Sequence, residues 1–223
     1  MTIAIELQHL TKGFAGRTIL QDVCLKVAKG TTVGLIGGNG SGKSVLFAMI
    51  CGMTRPDSGA VIVDGVTLGA GIDFPANVGV FINSPGFIGI YSGFRNLKFL
   101  ASIRGVITDE QIREAMRKVG LDPDNKAKVD NYSLGMKQKL GLAQAIMEDQ
   151  EILVLDEPFN ALDFQTYNDM LEIISALQAE GKTILMTSHN YRDVEQLCEA
   201  IYIIDHCKVV PITETLLQQY FGR

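Results

Sequence analysis

The sequence predicts an α/β domain built around a mostly parallel β-sheet. Short apolar runs that are typical of buried strands alternate along the chain with segments whose apolar residues recur at helical spacing. The chain has 223 residues, of which 47% are hydrophobic, so it is long enough for one large domain with a buried core. The stretch at about 84–147 interrupts the alternation, because it holds helical patterns and few strand signals. We therefore expect a single domain over residues 1–223, with a helical subdomain inserted at about 84–147.

The N-terminal part of the chain contains four predicted strands. β-Branched and apolar residues predict strands at residues 3–7 and Thr18–Val27, and Gly59–Asp64 is a third strand that enters a turn. Thr31–Ile36 is a continuous apolar run, which is typical of a strand buried on both faces. This run leads directly into a glycine-rich segment, after which the apolar residues suit a helix.

The remainder of the chain continues the alternation of helices and strands. Thr108 begins a helix, because Gln111 completes a capping-box pattern and the following apolar residues keep helical spacing as far as Gly120. Later apolar runs predict three strands, at Glu151–Leu155, Thr183–Thr187 and Ala200–Ile204. Helical periodicity predicts two helices between these strands, over residues 167–177 and 191–198.

Charge and cysteine content argue against several classes of protein. Lys and Arg number 20 against 25 Asp and Glu, a net charge of −5, whereas proteins that neutralise nucleic-acid phosphates are usually basic. The four cysteines lack the spacing of a zinc site or a disulfide framework, which favours a reducing cytoplasm. The N-terminus does not resemble a signal peptide, and no apolar stretch approaches the ~18 residues of a membrane span. We expect no nucleic-acid partner and no membrane crossing.

The strongest chemical signal is the pattern G-x-x-x-x-G-K-[ST] at Gly37–Ser44. It follows a predicted strand and precedes a predicted helix, which is the context that this motif requires. Glycines let the backbone curl so that its N–H groups point at phosphate oxygens, and the helix N-terminus adds partial positive charge. Lys43 is expected to reach the β- and γ-phosphates of a nucleotide, and Ser44 to ligate Mg²⁺. The predicted phosphate-binding residues are Gly37, Gly38, Asn39, Gly40, Ser41, Gly42, Lys43 and Ser44.

Other interpretations of this segment fit less well. An ordinary glycine-rich turn before a helix is the simplest alternative, but the Lys and Ser at their fixed positions favour phosphate binding. The dinucleotide fingerprint G-x-G-x-x-G fails, because its third glycine would fall at Lys43 or Val45. A GTPase would need the base-reading pattern Asn-Lys-x-Asp, and the nearest stretch ends at Lys128.

A second signal lies where the predicted strand at Glu151–Leu155 ends in Asp156 and Glu157. A strand that ends in Asp places this carboxylate at the carboxyl edge of the sheet, where ligands bind in open α/β sheets. Asp156 is therefore suited to hold Mg²⁺, directly or through water. Glu157 is suited to orient or deprotonate a water that attacks the γ-phosphate. Alone, the pair would suit a charged turn; next to the phosphate loop it favours catalysis.

With these residues identified, the chain resembles the nucleotide-binding subunit of an ATP-binding cassette (ABC) transporter from end to end. Gly37–Ser44 resembles the Walker A motif, and residues 152–157 resemble Walker B with its catalytic glutamate. Residues 132–138, 160–163 and 187–189 resemble the signature, the D-loop and the switch-histidine motif, in the family's order. The resemblance implies a P-loop NTPase core with a mostly parallel sheet, an N-terminal antiparallel β subdomain and the inserted helical subdomain.

The resemblance also implies a mechanism in which two subunits face each other head to tail around two ATP molecules. Ser133 and Gly135 of one chain would cap the γ-phosphate held by the other, at an interface that includes Asp163. Phe14 would stack on the adenine. His189 would contact the γ-phosphate and help to hold the attacking water, so that Glu157 and His189 are the expected catalytic residues.

The chain departs from the family pattern at two motifs. Leu134 and Met136 replace the usual glycine and glutamine of the signature. The run at residues 132–138 is similar to bacterial exporters of the bacitracin and lantibiotic-immunity type, which implies export of an antimicrobial peptide or drug. The Q-loop position aligns with Asn83, a further expected Mg²⁺ ligand, whose shorter side chain puts the coupling of nucleotide state to subdomain position in question.

The implied cofactors are ATP and Mg²⁺, and the implied partners are a second ABC ATPase subunit and a membrane-spanning permease subunit. The permease would hold the chain at the cytoplasmic face of the cell membrane. No C-terminal regulatory domain is expected, because the chain ends soon after the last predicted strand and a short helix. The alternative is a soluble ABC-type ATPase that acts as a conformational clamp or regulator. The single cassette, the acidic composition and the lack of a heptad run disfavour it. Substrate, direction of transport and homo- or heterodimer formation stay open.

Overall fold

Two β-sheets form the framework of the chain in the computed structural model, which describes residues 2–69, 71–82 and 86–221. The strands in chain order are β1 (Ile3–Phe14), β2 (Arg17–Ala28), β3 (Thr32–Ile36), β4 (Ser58–Val63), β5 (Val66–Thr67), β6 (Val78–Phe81), β7 (Ile152–Leu155), β8 (Thr183–Ser188), β9 (Ala200–Asp205) and β10 (Lys208–Pro211). The helices are α1 (Lys43–Ile50), α2 (Gly93–Arg104), α3 (Asp109–Lys118), α4 (Leu134–Ile146), α5 (Phe164–Ala179), α6 (Tyr191–Leu197) and α7 (Glu214–Phe221). A short 3-10 helix (Val129–Asn131) precedes α4.

The two sheets differ in the direction of their strands. The first has the order β2-β1-β4-β5 and is antiparallel. The second has the order β10-β9-β3-β8-β7-β6, and its neighbours pair parallel except for β9 and β10 at one edge. The predicted fold class, α/β with an N-terminal antiparallel sheet and a mostly parallel second sheet, is confirmed.

The buried side chains form two clusters, one on each face of the parallel sheet. One cluster joins β1, β2 and β4 to α1 and to that sheet. The other cluster joins the opposite face of the sheet to helices α2, α3, α4, α5 and α6. Every residue of β3, β7 and β8 is buried, as expected for central parallel strands covered on both sides.

Helices α2, α3 and α4 follow one another between β6 and β7, in the region where the sequence predicts an inserted helical subdomain. Thr108 caps α3 in a capping box with Gln111, as the sequence predicts. The first residues of the expected range, Ser84 and Pro85, lie outside the described residues. Within the described residues, no helix has both the length and the apolar composition needed to cross a lipid bilayer.

Several elements differ from the sequence-based expectations. The strand predicted at residues 3–7 continues to Phe14, because β1 pairs with β2 along its length through register shifts. Strand β6 was not predicted: it has four residues and contains Gly79, which weakens a strand pattern. A Cβ on Gly79 would lie 1.9 Å from the carbonyl oxygen of Ala145 in α4. Glycine is needed there for the close approach of helix and strand.

Candidate nucleotide-binding site

The glycine-rich loop at Gly37–Ser44 connects the buried strand β3 to α1. Gly42 precedes the first residue of α1 and has a φ of 111°, in the left-handed region. A Cβ at this position would lie 2.9 Å from Cγ2 of Ile19. Both the backbone angle and the close neighbour therefore require glycine. The N-terminus of α1 consequently opens directly onto the loop, as phosphate binding by a helix N-terminus requires.

The side chain of Lys43 lies back against the loop and is only 6% exposed. Its Nζ donates hydrogen bonds to the carbonyl oxygens of Gly37 at 2.7 Å and Gly38 at 3.3 Å. The same Nζ lies 3.5 Å from Oε1 of Glu157. These contacts provide the partners that a buried ammonium group needs, and they place the cation between the loop and the acidic end of β7.

The carboxylate of Asp156, directly after β7, accepts hydrogen bonds from two hydroxyl groups. Ser44 Oγ donates to Oδ2 at 2.7 Å, and Thr187 Oγ1 donates to Oδ1 at 2.6 Å. The side chain is buried. Residues from α1, β7 and β8 thus meet at one carboxylate on the carboxyl edge of the sheet, where the sequence placed a Mg²⁺ ligand.

Glu157 lies between Lys43 and His189. Its Oε2 is 2.7 Å from Nδ1 of His189 and accepts a hydrogen bond from the His189 backbone N–H at 3.2 Å. Glu157 has a φ of 54°, a conformation that is unfavourable for residues other than glycine and recurs at functional sites. Its own N–H donates to Thr187 Oγ1 at 2.8 Å, which helps to hold this conformation.

Lys43, Asp156 and Glu157 border a cleft of about 360 Å³, and His189 lies outside its lining. Phe14 lies at its edge with half of its surface exposed, where a ring can cover a planar ligand. Among the described residues, the lining residues are Phe14, Ile19, Asn39, Gly40, Ser41, Gly42, Lys43, Ser44, Val45, Asp156, Glu157 and Asn160. Most of the residues predicted to bind nucleotide in the same chain therefore share one cleft.

The chemistry of the cleft fits a phosphate chain with a divalent cation. Ser41 Oγ is buried and has no hydrogen-bond partner among the described residues, whereas buried hydroxyls normally have one. A phosphate oxygen in the loop would satisfy it. Glycine at 38 and 40 leaves open space, since no heavy atom lies within 4 Å of an added Cβ. The oxygens of Ser44 and Asp156 belong to the ligand class that Mg²⁺ prefers.

A second group of predicted residues lies outside the lining of this cleft, at the N-termini of α4 and α5. Ser133 caps α4 by accepting a hydrogen bond from the Met136 N–H at 3.2 Å. Asp163 caps α5, accepting from the N–H of Thr166 at 2.9 Å and from its hydroxyl at 2.8 Å. The N–H of Thr166 is the main reason that the pKa of Asp163 is lowered from its ordinary value.

Gly135 connects these two helix ends. A Cβ on Gly135 would lie 2.6 Å from Cγ2 of Thr166, so the start of α4 packs closely against the first turn of α5. Ser133 and Asp163 are exposed, Gly135 is buried where the two helices meet, and none of the three lines the cleft. The cleft is lined by most of the residues predicted to act in cis, whereas Gly37, Gly38 and His189 lie outside its lining. The residues predicted to act on the partner's nucleotide are absent from it as well.

Two residues remain to be placed: one predicted ligand that the structure does not describe, and one residue to which the sequence assigned no chemical role. Asn83, the expected further Mg²⁺ ligand, lies outside the described residues. Thr187 was identified only as the end of a strand and the start of the switch motif. The structure shows that its hydroxyl joins Asp156 to Glu157. The available signal was its place at the end of a buried strand next to β7, because the ends of parallel neighbours meet at one edge.

Comparison with known proteins gives a family match. A family model described as "ABC transporter" matches residues 20–160. The chain is 38% identical over 202 residues to an uncharacterised ABC transporter ATP-binding protein, YybJ, of Bacillus subtilis (strain 168), covering 91% of this chain and 93% of that protein.

Other similar proteins have names that include a transported compound. The bacitracin transport ATP-binding protein BcrA of Enterococcus faecalis is 36% identical, with 92% of this chain and 67% of that protein covered. The lantibiotic transport ATP-binding protein SrtF of Streptococcus pyogenes is 34% identical, with 92% and 89% covered. A solved structure of the ATP-binding subunit of an ABC transporter superposes with a TM-score of 0.83 at 27% identity, covering 98% of this chain and 93% of that one.

Proposed function

Because this chain belongs to the ABC transporter family and is an ATP-binding, ATP-hydrolysing member of it, we propose that it drives a separate membrane-spanning permease subunit. The chain would bind to the permease at the cytoplasmic face of the cell membrane. Two ATPase subunits would close around two ATP molecules, and hydrolysis would reopen the dimer. The resemblance drawn from the sequence motifs to this family is confirmed.

The observation that carries the proposal is that the predicted residues fall into two separate groups. The cleft contains the phosphate loop, Asp156 and Glu157, whereas Ser133 and Gly135 lie at the separate N-terminus of α4. A helix N-terminus attracts phosphate, and this one would complete the nucleotide site of a second subunit. Each subunit would thus supply the cleft for one ATP and the capping helix for the other.

Within one cleft, the residues have distinct proposed roles. Lys43 would exchange its carbonyl partners for the β- and γ-phosphates. Ser44 and Asp156 would hold Mg²⁺, which spreads the negative charge that develops during phosphoryl transfer. Glu157 would orient a water or take its proton. His189, 2.7 Å from Oε2 of Glu157, would hold the attacking water and the γ-phosphate in place.

The proposed cargo is an antimicrobial peptide or drug, and the proposed direction is export. Support comes from the names of BcrA and SrtF, which are similar to this chain over most of its length. The signature at residues 132–138, with Leu134 and Met136 in place of the usual residues, favours the same group.

Substitution of the proposed base tests the catalytic assignment. Glu157→Gln keeps the shape of the side chain but cannot accept a proton. We expect Mg²⁺-dependent ATPase activity to fall by about 10²-fold or more, while ATP binding persists and an ATP-dependent dimer accumulates in size-exclusion chromatography. Lys43→Ala should abolish both activity and the dimer. Wild-type turnover by Glu157→Gln would show that Glu157 is not the base.

Co-purification tests the membrane partner. The tagged chain would be isolated from detergent-solubilised native membranes and its companions identified by mass spectrometry. We expect a stoichiometric protein with several membrane spans. A chaotrope wash before solubilisation should release the tagged chain from the membranes, so that this protein is no longer recovered with it. Recovery of only soluble partners, under conditions that preserve membrane complexes, would favour the clamp or regulator instead.

A further inference from the structure

Asp193, in the first turn of α6, has a carboxylate that is nearly fully buried, with the residue only 3% exposed. Three neutral donors surround it. Tyr167 Oη donates to Oδ1 at 2.8 Å, Asn190 Nδ2 donates to Oδ1 at 3.1 Å, and Ser188 Oγ donates to Oδ2 at 2.7 Å. Asp193 takes part in none of the ion pairs formed within the described part of the chain.

These hydrogen bonds fix the backbone on both sides of His189. Ser188 immediately precedes it and Asn190 immediately follows it, and both side chains donate to Asp193. Ser188 Oγ also accepts a hydrogen bond from the Asn190 N–H at 2.9 Å. The exposed histidine is therefore held on a short loop whose two ends are connected to one buried group.

Burial of a carboxylate without a basic partner needs compensation. The three donors named above supply it. Burial, followed by the hydrogen bond to Asp193, raises the pKa of Tyr167 to about 12. The phenol therefore stays protonated and remains a donor at neutral pH. A satisfied polar network of this kind rigidifies its surroundings.

Tyr167 connects this hydrogen-bond network to α5 and to the segment that carries Glu157. It lies in the first turns of α5, which begins after the cap residue Asp163. Its ring packs on that of Phe159 with centroids 5.1 Å apart, and Phe159 follows Glu157 by two positions. The buried Asp193 and the partly buried Tyr167 thus connect the segments that carry His189 and Glu157.

We propose that Asp193 and Tyr167 are positioning residues that set the position of His189 opposite Glu157. Asp193 accepts hydrogen bonds from the residues on either side of His189, and Tyr167 donates to Asp193, so both act through the loop that carries the histidine. This inference rests on the proposed role of His189 in hydrolysis. It adds that the histidine depends on a buried carboxylate whose hydrogen bonds reach α5.

A double-mutant cycle tests the proposal, with steady-state ATPase kinetics and Mg²⁺–ATP binding measured on each variant. Asp193→Ala should lower kcat in the presence of His189, by as much as about 10²-fold, because misplacement of a catalytic group by 1 Å can cost that much. The same change made in His189→Ala should lower kcat no further. In either background, Asp193→Ala should change nucleotide affinity by no more than about twofold, because Asp193 does not contact the phosphate loop and effects of residues that share no partner are independent.

Tyr167→Phe provides a milder variant in case Asp193→Ala folds poorly. It removes one hydroxyl and keeps the ring on Phe159, so a smaller fall in kcat with the same dependence on His189 is expected. Tyr202→Phe serves as the matched control, because Tyr202 lies in β9, away from the network. Asp193→Glu, which keeps the carboxylate, should retain more activity than Asp193→Ala.

The outcomes distinguish the two levels of inference. Full activity in His189→Ala would overturn the proposed role of His189. If His189→Ala is impaired, an equal loss from Asp193→Ala in both backgrounds would overturn the positioning role, because independent effects add. A loss of nucleotide affinity that parallels the loss of kcat would also overturn it and assign Asp193 a general structural role.

Discussion

Thr187 illustrates how a single hydroxyl organises the residues around a proposed reaction centre. It donates to Asp156 and accepts from the N–H of Glu157. One side chain thus fixes the carboxylate proposed to hold Mg²⁺ and the backbone of the proposed base. Because Glu157 has a positive φ, this hydrogen bond opposes relaxation of the backbone to a more common conformation.

Replacement of Thr187 by valine tests this role with little change in shape. Thr187→Val leaves the Glu157 N–H and one oxygen of Asp156 without their partner. We expect a loss of about 1–3 kcal/mol in the free energy of unfolding and a fall in kcat of about tenfold or more. Thr187→Ser keeps the hydroxyl and should retain most activity. Chemical denaturation and ATPase assays measure the two effects, and equal behaviour of both variants would contradict the role.

At the residue scale, the sequence predicts those site residues that belong to a motif with fixed spacing. Strand context and spacing predict the loop at Gly37–Ser44, Asp156 and Glu157. Residues 39–44 of the loop border one cleft with the two carboxylates. The functions of Thr187 and Asp193 could not be predicted, because a hydroxyl or carboxylate gains its role only from partners that are distant in sequence. Tyr167 and Asp193, for example, are 26 residues apart.

At the element scale, the contact between α4 and α5 matters most, because both helix ends belong to the proposed dimer surface. Gly135 lets the first turn of α4 lie against Thr166 of α5. The ion pair of Lys139 and Asp169 joins the same helices with a distance of 2.6 Å. Lys139 is also the main reason that the pKa of Asp169 is lowered.

Gly135→Ala tests this contact independently of catalysis. The added methyl would stand 2.6 Å from Thr166 Cγ2, so we expect a loss of about 1–3 kcal/mol of stability, as for other overpacked sites. Thr166→Ala removes the opposing atoms and should restore part of the loss when combined with Gly135→Ala. Denaturant titrations of the single and double variants measure this. Additive effects would mean that the two residues do not interact.

The elements that sequence predicted well are those with strong periodic or capping signals. The capping box at Thr108 and the buried strands β3, β7 and β8 belong to this group. Strand β6 was missed because its Gly79 is required by the close passage of α4, a tertiary reason that lies outside the strand itself. The length of β1 was underestimated because pairing with β2 extends it.

At the scale of the whole molecule, the cysteines report on the integrity of both core clusters. Burial raises the pKa of Cys51 to about 12 and that of Cys198 to about 12. Cys24 is exposed. A thiol with such a pKa is about one part in 10⁴ thiolate at pH 8, and the thiolate is the reactive form. Cys51, which is also only 3% exposed, should therefore react only after the chain unfolds, and Cys198 should react much more slowly than Cys24.

Alkylation with iodoacetamide at pH 8, followed by mass spectrometry, checks this expectation. Cys24 should be modified rapidly and Cys198 more slowly, whereas modification of Cys51 should follow the fraction of the chain that is unfolded. ATP with Mg²⁺ should slow the modification of Cys51 further, because a ligand that binds the native state stabilises it. Modification of Cys51 in the native protein as fast as that of Cys24 would contradict its burial.

The order of strands in the parallel sheet has a consequence for the biosynthesis of the protein. β3, which carries the phosphate loop, pairs with β8 on one side and β9 on the other. Both neighbouring strands belong to the last fifth of the given sequence. The ribosome therefore makes them only after it has made helices α1 to α5. The nascent loop must wait for residues 183–205 before its strand has any partner in this sheet. The ability to bind ATP therefore arises only after residues 183–205 have been made, and a chain released before that point would lack it.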